Sequence, residues 1–274
     1  HALNSTLHSI PDCQSIIKKA AVERLKEKYH NSWFEETGAI FPIQFSIIKD
    51  EVVIYLDTTG TGLHKRGYRR NSNDAPIKET LAAGIIDLAR VRGDSVVCDP
   101  FCGSGTLLIE SAYKALSVAP GLKRKFLAEK WDCISSSFWK DARNDAISLV
   151  RHDTAFKAYG FDIDENAVTL TNDNANKAGI SKRISATKAD IKNYKNQKET
   201  ITICNPPYGE RMLDIKEAEK LYQVMGQVFE GSKDAPCYII SPHEDFEKFF
   251  GRKADKRRKL YNGMLKCQLF MYFK

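Results

Sequence analysis

Along this chain, short apolar runs stop at polar or glycine-rich punctuation and give way to helical stretches, and this alternation is what most restricts its fold. The run Ser95-Val96-Val97-Cys98 ends at Asp99 and a glycine turn before a helix predicted over Leu107 to Leu116. Ala158 to Asp164 reads as the next strand, ending in the acids Asp162 and Asp164 before the helix Glu165 to Ala178. Ile184 to Ala189 ends at Asp190, and Ile201 to Cys204 ends at Asn205-Pro206-Pro207-Tyr208 ahead of the helix Ile215 to Glu230. A further strand, Pro236 to Ser241, leads to a hairpin over Arg258 to Phe273 around Asn262-Gly263. Repeated β–α units require a mostly parallel, doubly wound sheet with helices on both faces, and the Asn-Gly turn makes its last pair antiparallel. With 274 residues, 42% of them hydrophobic, the chain can bury one substantial core plus a small appended domain.

That appended part precedes the α/β region. Pro11 to Tyr29 reads as an amphipathic helix with Ile16, Ile17, Ala20, Ala21 and Leu25 on one side. Strands near Ala39 to Ile48 and Glu51 to Leu56, joined through Lys49-Asp50, read as a hairpin. The stretch Pro120 to Ala155, with Trp131 and Trp139, is long for a β–α connection. Two readings stand for it: a helical insertion on the substrate side, or a cap on the core.

The punctuation carries chemistry. Proline fixes φ and lacks an N–H, so the backbone at Pro206-Pro207 cannot extend a sheet ladder, and its carbonyls are free to accept from a ligand. Asn205 adds an acceptor suited to an aromatic exocyclic amine, and Tyr208 offers a ring on which a base can stack for ~1–3 kcal/mol. The string also serves as a plain strand-ending turn; the second motif favours the chemical reading, methyl transfer to a nucleobase amino group. Gly103 and Gly105 allow close backbone approach at the sheet's carboxyl edge. Neither the dinucleotide spacing nor the Gly-Lys-Ser/Thr of a phosphate loop is present, and Asp99 directly ahead suits a cation such as an ammonium. The following helix start suits a carboxylate, and S-adenosylmethionine carries both groups. Asp162 is placed to accept from ribose hydroxyls, whereas Asp164 also reads as a helix cap. Asp190 reads either as a neighbour of the adenine amino group or as a plain strand-to-loop acid.

Asp99-Pro-Phe-Cys-Gly-Ser-Gly-Thr106, Gly160-Phe-Asp-Ile-Asp164 and Asn205-Pro-Pro-Tyr-Gly-Glu-Arg211 resemble the THUMP-domain RNA methyltransferases that make N2-methylguanosine in ribosomal or transfer RNA. The resemblance extends to Ala75-Pro-Ile-Lys-Glu-Thr-Leu-Ala-Ala83, similar to the segment that packs against the cofactor's methionine end, and to the terminal hairpin. It implies a Rossmann-like methyltransferase domain over residues 67–274, preceded over residues 1–66 by a segment similar to the carboxyl-terminal half of a THUMP domain. The implied cofactor is S-adenosylmethionine, held by Pro76, Thr80, Asp99, Phe101, Gly103, Gly105, Thr106, Asp162, Asp190 and Asn205. The implied catalytic group is Asn205, Pro206, Pro207 and Tyr208, acting by direct displacement without a metal. An adenine-specific DNA methyltransferase is the rival enzyme reading, because the same string serves enzymes acting on adenine, guanine and glutamine amino groups. A non-catalytic RNA-binding module is the third reading, and it would not require both motifs intact.

Charge supports a nucleic-acid partner. The formal net charge of +7 is concentrated in His64 to Arg70, Lys123 to Lys125 and Arg252 to Lys259. Lys65, Arg66, Arg69 and Arg70, with Tyr208 for the base, are the expected RNA contacts. Any one cluster alone also reads as a solvated face. Seven cysteines, an odd number without a C-x-x-C pair, read as reduced thiols in a cytoplasmic protein without structural zinc. No apolar run approaches the length of a membrane span and no signal-peptide pattern opens the chain.

Overall fold

The computed structural model describes residues 2–69, 77–195, 199–208, 215–230 and 235–273, which form two compact units. The first comprises His1–Gly62 with Lys125–Lys140, and the second Leu63–Arg124 with Asp141–Lys274.

In the first unit, β1 (Ala2–Leu3), α1 (Ile10–Tyr29), β2 (Ile43–Ile48) and β3 (Glu51–Leu56) follow in order. The sheet runs β1-β2-β3, with β1 parallel to β2 and β2 antiparallel to β3. Lys49 and Asp50 both have positive φ, 52° and 63°, the primed turn whose twist matches a tight hairpin. Asp50 also accepts from the Thr6 amide at 2.6 Å, which ties the turn to the strand's neighbour. The expected apolar side of α1 is largely uncovered: Ile16 is 64% exposed, Leu25 is exposed too, and Cys13 is the helix's one buried residue. The Lys125–Lys140 stretch belongs to this unit. Buried Trp131 stacks on Phe41 at 4.6 Å and donates its indole N–H to the Ile40 carbonyl at 2.9 Å, while the amides of Leu127 and Ala128 bond to Thr59 and Thr58.

The second unit holds α2 (Glu79–Leu88), β4 (Val96–Asp99), α3 (Thr106–Ala115), β5 (Lys157–Asp162), α5 (Glu165–Ala178), β6 (Ile184–Lys188) and β7 (Thr200–Cys204). It continues with α6 (Ile215–Glu230), β8 (Cys237–Ser241), α7 (Phe246–Phe250), β9 (Lys256–Asn262) and β10 (Leu265–Tyr272); α4 (Ser136–Ser148) lies between α3 and β5 in the chain and buries none of its residues. The sheet order is β6-β5-β4-β7-β8-β10-β9, parallel through β8, with β10 antiparallel between β8 and β9. Strand order reverses between β4 and β7, the switch point beside which open α/β sheets form ligand crevices.

Alternation along the strands divides the core into two layers. Tyr238 and Ile240 of β8 join Val97, Ala158, Ile85, Leu107 and Leu108 on one face. Cys237 and Ile239 join Ala218, Tyr222, Met225 and Phe229 of α6, with Phe246, Phe250 and Phe270, on the other. Gly226 lets α6 approach α7 closely: a Cβ there would lie 1.9 Å from the Phe250 carbonyl oxygen. All seven cysteines are free thiols, and only Cys133 is exposed. No helix among the described residues is long and apolar enough to cross a membrane.

Candidate active site

The carboxyl ends of β4, β5, β6 and β7 converge on a cleft of about 580 Å³, within the size range of small-ligand sites. Asp99 to Ser104, Thr106, Asp162 to Asp164, Asp190 and Asn205 to Tyr208 line it, so the two main sequence motifs share one cavity.

Asp99 is buried at the end of β4, and its Oδ1 accepts from the Phe101 amide at 3.0 Å. Burial raises its carboxyl to about 8; the Phe101 bond pulls the other way, and the charge of Asp162 adds to the rise. Asp162 clasps the glycine loop, its Oδ2 accepting from the Gly103 amide and its Oδ1 from the Asp164 amide, both at 3.0 Å. The loop is braced from behind by α5. Thr171 donates to the Gly103 carbonyl and Asn174 to the Ser104 carbonyl, each at 2.9 Å. Gly105, with φ +79°, packs where a Cβ would meet Thr171 at 2.9 Å; it shapes the loop and is not among the cleft's lining residues.

β5 ends at Asp162, earlier than the sequence pattern suggests, because Asp164 caps α5 by accepting from the Asn166 amide at 2.9 Å. Asp190 lines the cleft and also caps a 3₁₀ turn over Ile191–Asn193 through the Lys192 amide at 2.9 Å. Pro206 is buried while Asn205, Pro207 and Tyr208 are half-buried. The Pro207 carbonyl accepts from the hydroxyl of Tyr222, itself fully buried and 3.3 Å from Ser241 Oγ. Burial pushes the Tyr222 phenol up to about 12, so it stays a donor across the ordinary pH range.

Besides Gly105, three expected site residues, Thr80, Arg66 and Arg69, stand elsewhere. Thr80 is exposed and outside the lining, because the first turn of α2 directs the preceding Glu79 inward; Ile77 lines the cleft instead. Arg66 and Arg69 do not present a free cationic track. Arg66 is buried against Glu110 at 3.4 Å, with the Tyr68 hydroxyl on the same carboxylate at 3.1 Å. Burial raises the Glu110 carboxyl, and Arg66 offsets only part of that rise. Arg69 Nη2 forms an ion pair with the buried Glu79 Oε2 at 2.7 Å, and its Nη1 donates to Thr106 Oγ1 at 3.3 Å. Lys65 is exposed, while Arg70 and Pro76 lie outside the described residues. Arg124 of the second basic cluster is also buried.

α6 supplies a wall of the cleft that no sequence motif marks. Glu217, Lys220, Leu221 and Val224 recur at i, i+3, i+4 and i+7 and line the cleft, while Ala218, Tyr222, Met225 and Phe229 form the adjacent core-facing stripe. That periodicity was the available signal, but it does not say what each stripe meets.

A family model described as the RMKL-like methyltransferase domain (UPF0020) matches residues 66–270. YpsC of Bacillus subtilis (strain 168), assigned as an RNA methyltransferase, is 42% identical over 99% of this chain and 71% of its own length. A ribosomal RNA large subunit methyltransferase K/L from Psychromonas ingrahamii is 34% identical over 93% of this chain, which spans 35% of that larger protein. Among solved structures, the protein SMU.472 complexed with SAH aligns with a TM-score of 0.90 at 39% identity, covering 99% of this chain and 72% of that one. A Listeria monocytogenes protein described as an N6-adenine-specific DNA methylase aligns with a TM-score of 0.91 at 40% identity, covering 99% and 71%.

Proposed function

This chain belongs to the RMKL-like methyltransferase family, and we propose that it transfers a methyl group from S-adenosylmethionine to an exocyclic amino group of a base in RNA, the 2-amino group of guanine in ribosomal or transfer RNA. The observation that carries the reading is the meeting of the Asp99 loop and the Asn205 to Tyr208 turn in one cleft beside the sheet's switch point. The ribosomal RNA activity named for the K/L relative and the SAH complex of SMU.472 support substrate and cofactor respectively.

The lining fits the cofactor by its donor set: a buried carboxylate at Asp99, a second at Asp162, and a glycine loop opening a helix. When bound, S-adenosylmethionine supplies a methyl carbon activated by a positive sulfur. Asp99 would hold the ammonium end, whose positive charge favours ionisation of the carboxyl that burial raises to about 8. Asp162 accepts ribose hydroxyls with the lone pairs that Gly103 and Asp164 leave free. The Asn205 side chain and the Pro206 carbonyl accept from the target amine, fixing the direction of its lone pair and accommodating the positive charge that develops there. Tyr208 offers its ring to the base, which must leave any helix to enter the cleft. Tyr222 holds the Pro207 carbonyl and so sets the turn on which this alignment depends. Good alignment contributes up to ~7–11 kcal/mol in model reactions, and the amine proton leaves to water after transfer.

The first unit is proposed as a partial THUMP-like RNA-binding domain. The name of the Listeria structure keeps one second reading, adenine methylation in DNA. Incubation of the chain with tritiated S-adenosylmethionine and total RNA or genomic DNA tests both: label in N2-methylguanosine from RNA is expected, and label in N6-methyladenine from DNA overturns the proposal.

A further inference from the structure

The sheet of the second unit extends past its parallel strands on the side where the cleft opens. β8 pairs with β10 as far as Ser241 opposite Gln268. β9 and β10 continue together through Leu260 with Cys267, Tyr261 with Lys266 and Asn262 with Leu265. Both β8 and β9 run antiparallel to β10, so the carboxyl end of β9 lies on the same side as the carboxyl ends that build the cleft. Three extra rows at ~3.3 Å per residue carry the hairpin about 10 Å beyond the end of β8.

The two faces of this extension differ. Leu260, Leu265 and Cys267 pack against the first core layer. On the other face, Phe270 and Tyr272 are covered by the second layer, but Lys259, Tyr261 and Lys266 are exposed. Lys259 stands two residues from Tyr261, and Lys266 is its cross-strand partner, so the three share one face. The Lys259 ammonium lies 5.3 Å from the Tyr261 ring centroid, the ring is 53% exposed, and Met264 at the tip is 99% exposed.

Resting on RNA as the substrate, we infer that this projecting face holds single-stranded RNA that flanks the target nucleotide. The Tyr261 ring stacks on a base, and Lys259 and Lys266 take phosphates on either side. Ring and cation together make the combination that single-strand binders use, in which stacking tolerates any base and the charge tracks the backbone. Cations on an outermost strand also discourage sheets from pairing edge to edge. That role accounts for Lys256 and Arg258, but an exposed tyrosine and methionine would work against it.

The test titrates the whole chain and three variants, Tyr261→Ala, Tyr261→Phe and the pair Lys259→Ala with Lys266→Ala, against a fluorescently labelled single-stranded oligoribonucleotide over a salt series. S-adenosylhomocysteine affinity and thermal melting serve as controls of the fold. Tyr261→Ala is expected to bind RNA about tenfold more weakly, the loss of one stacked base, and Tyr261→Phe to stay within about twofold of wild type. The lysine pair should flatten the slope of log affinity against log salt by about 1.4, roughly 0.7 for each phosphate. Wild-type affinity and slope in all variants overturn the hairpin assignment and leave the RNA reading standing. So does a lysine-pair variant that self-associates while its RNA binding is intact, which would make the cations edge guards. A wild-type chain that prefers duplex DNA, or binds neither nucleic acid, overturns the RNA reading and this inference together.

Discussion

Asp99→Asn should stabilise the cofactor-free protein at alkaline pH while weakening its hold on S-adenosylhomocysteine. The buried carboxyl rises from 3.8 to about 8 in the fold, chiefly through burial. An acid whose pKa is raised on folding binds its proton more tightly in the native state, so its favourable contribution is complete below the unfolded value and is lost as pH climbs toward the folded one. Between pH 5 and pH 8 that loss spans about three pKa units, a ceiling of about 4 kcal/mol at 1.36 kcal/mol per unit. Water reaching the cleft and relaxation around the charge reduce this to about 2 kcal/mol. Asparagine escapes the penalty, since it carries no charge and its amide oxygen can still accept from Phe101. Urea unfolding of wild type and variant at both pH values, without ligand, measures the difference; calorimetry with S-adenosylhomocysteine measures the binding loss. The variant should gain on wild type as pH rises. A gap that is the same at pH 5 and pH 8 would refute the claim that Asp99 carries a desolvated charge.

Three further outcomes follow from the internal contacts. Arg69→Met leaves Glu79 buried without its cation and should cost about 3–5 kcal/mol of stability, whereas Lys65→Ala, on an exposed residue of the same run, should change the melting temperature little; equal melting temperatures would return Arg69 to the surface. Tyr222→Phe removes the donor to the Pro207 carbonyl, at about 1 kcal/mol for a neutral bond; single-turnover methylation should slow while S-adenosylhomocysteine affinity holds, and a loss confined to cofactor affinity would contradict the positioning role. Gly226→Ala places a methyl against the Phe250 carbonyl and should destabilise the protein by about 1–3 kcal/mol through overpacking, readable in the urea midpoint.

The α/β architecture was legible because strand-ending punctuation recurs at β4, β5, β6 and β7, and the bounds of α5 and α6 match the apolar periodicity. The helix α7 and the two-residue strand β1 were not legible, being too short to carry a period. The cleft's floor could be read from Asp99, Gly103, Asp162 and Asn205, since strand ends in a parallel sheet face one edge. Its α6 wall could not, because two stripes of one helix look alike until their neighbours are known. The run from Lys65 to Arg70 misled for a related reason. Charge in sequence does not reveal that Glu79 and Glu110, from α2 and α3, await Arg69 and Arg66 inside the fold. The stretch holding Trp131 joined the first unit through contacts that include its stacked ring and indole hydrogen bond, made 90 and 91 residues away along the chain, and backbone bonds to Thr58 and Thr59, all beyond the reach of local pattern.

The most direct measurement is single-turnover methylation of ribosomal RNA by wild type and Asn205→Ala, with nucleosides resolved by mass spectrometry and S-adenosylhomocysteine affinity recorded alongside. Wild type should produce N2-methylguanosine, and the variant should do so about a hundredfold more slowly, as befits loss of an acceptor that matters most in the transition state, with cofactor affinity retained. Full activity in Asn205→Ala would contradict transfer to an amino group at this turn.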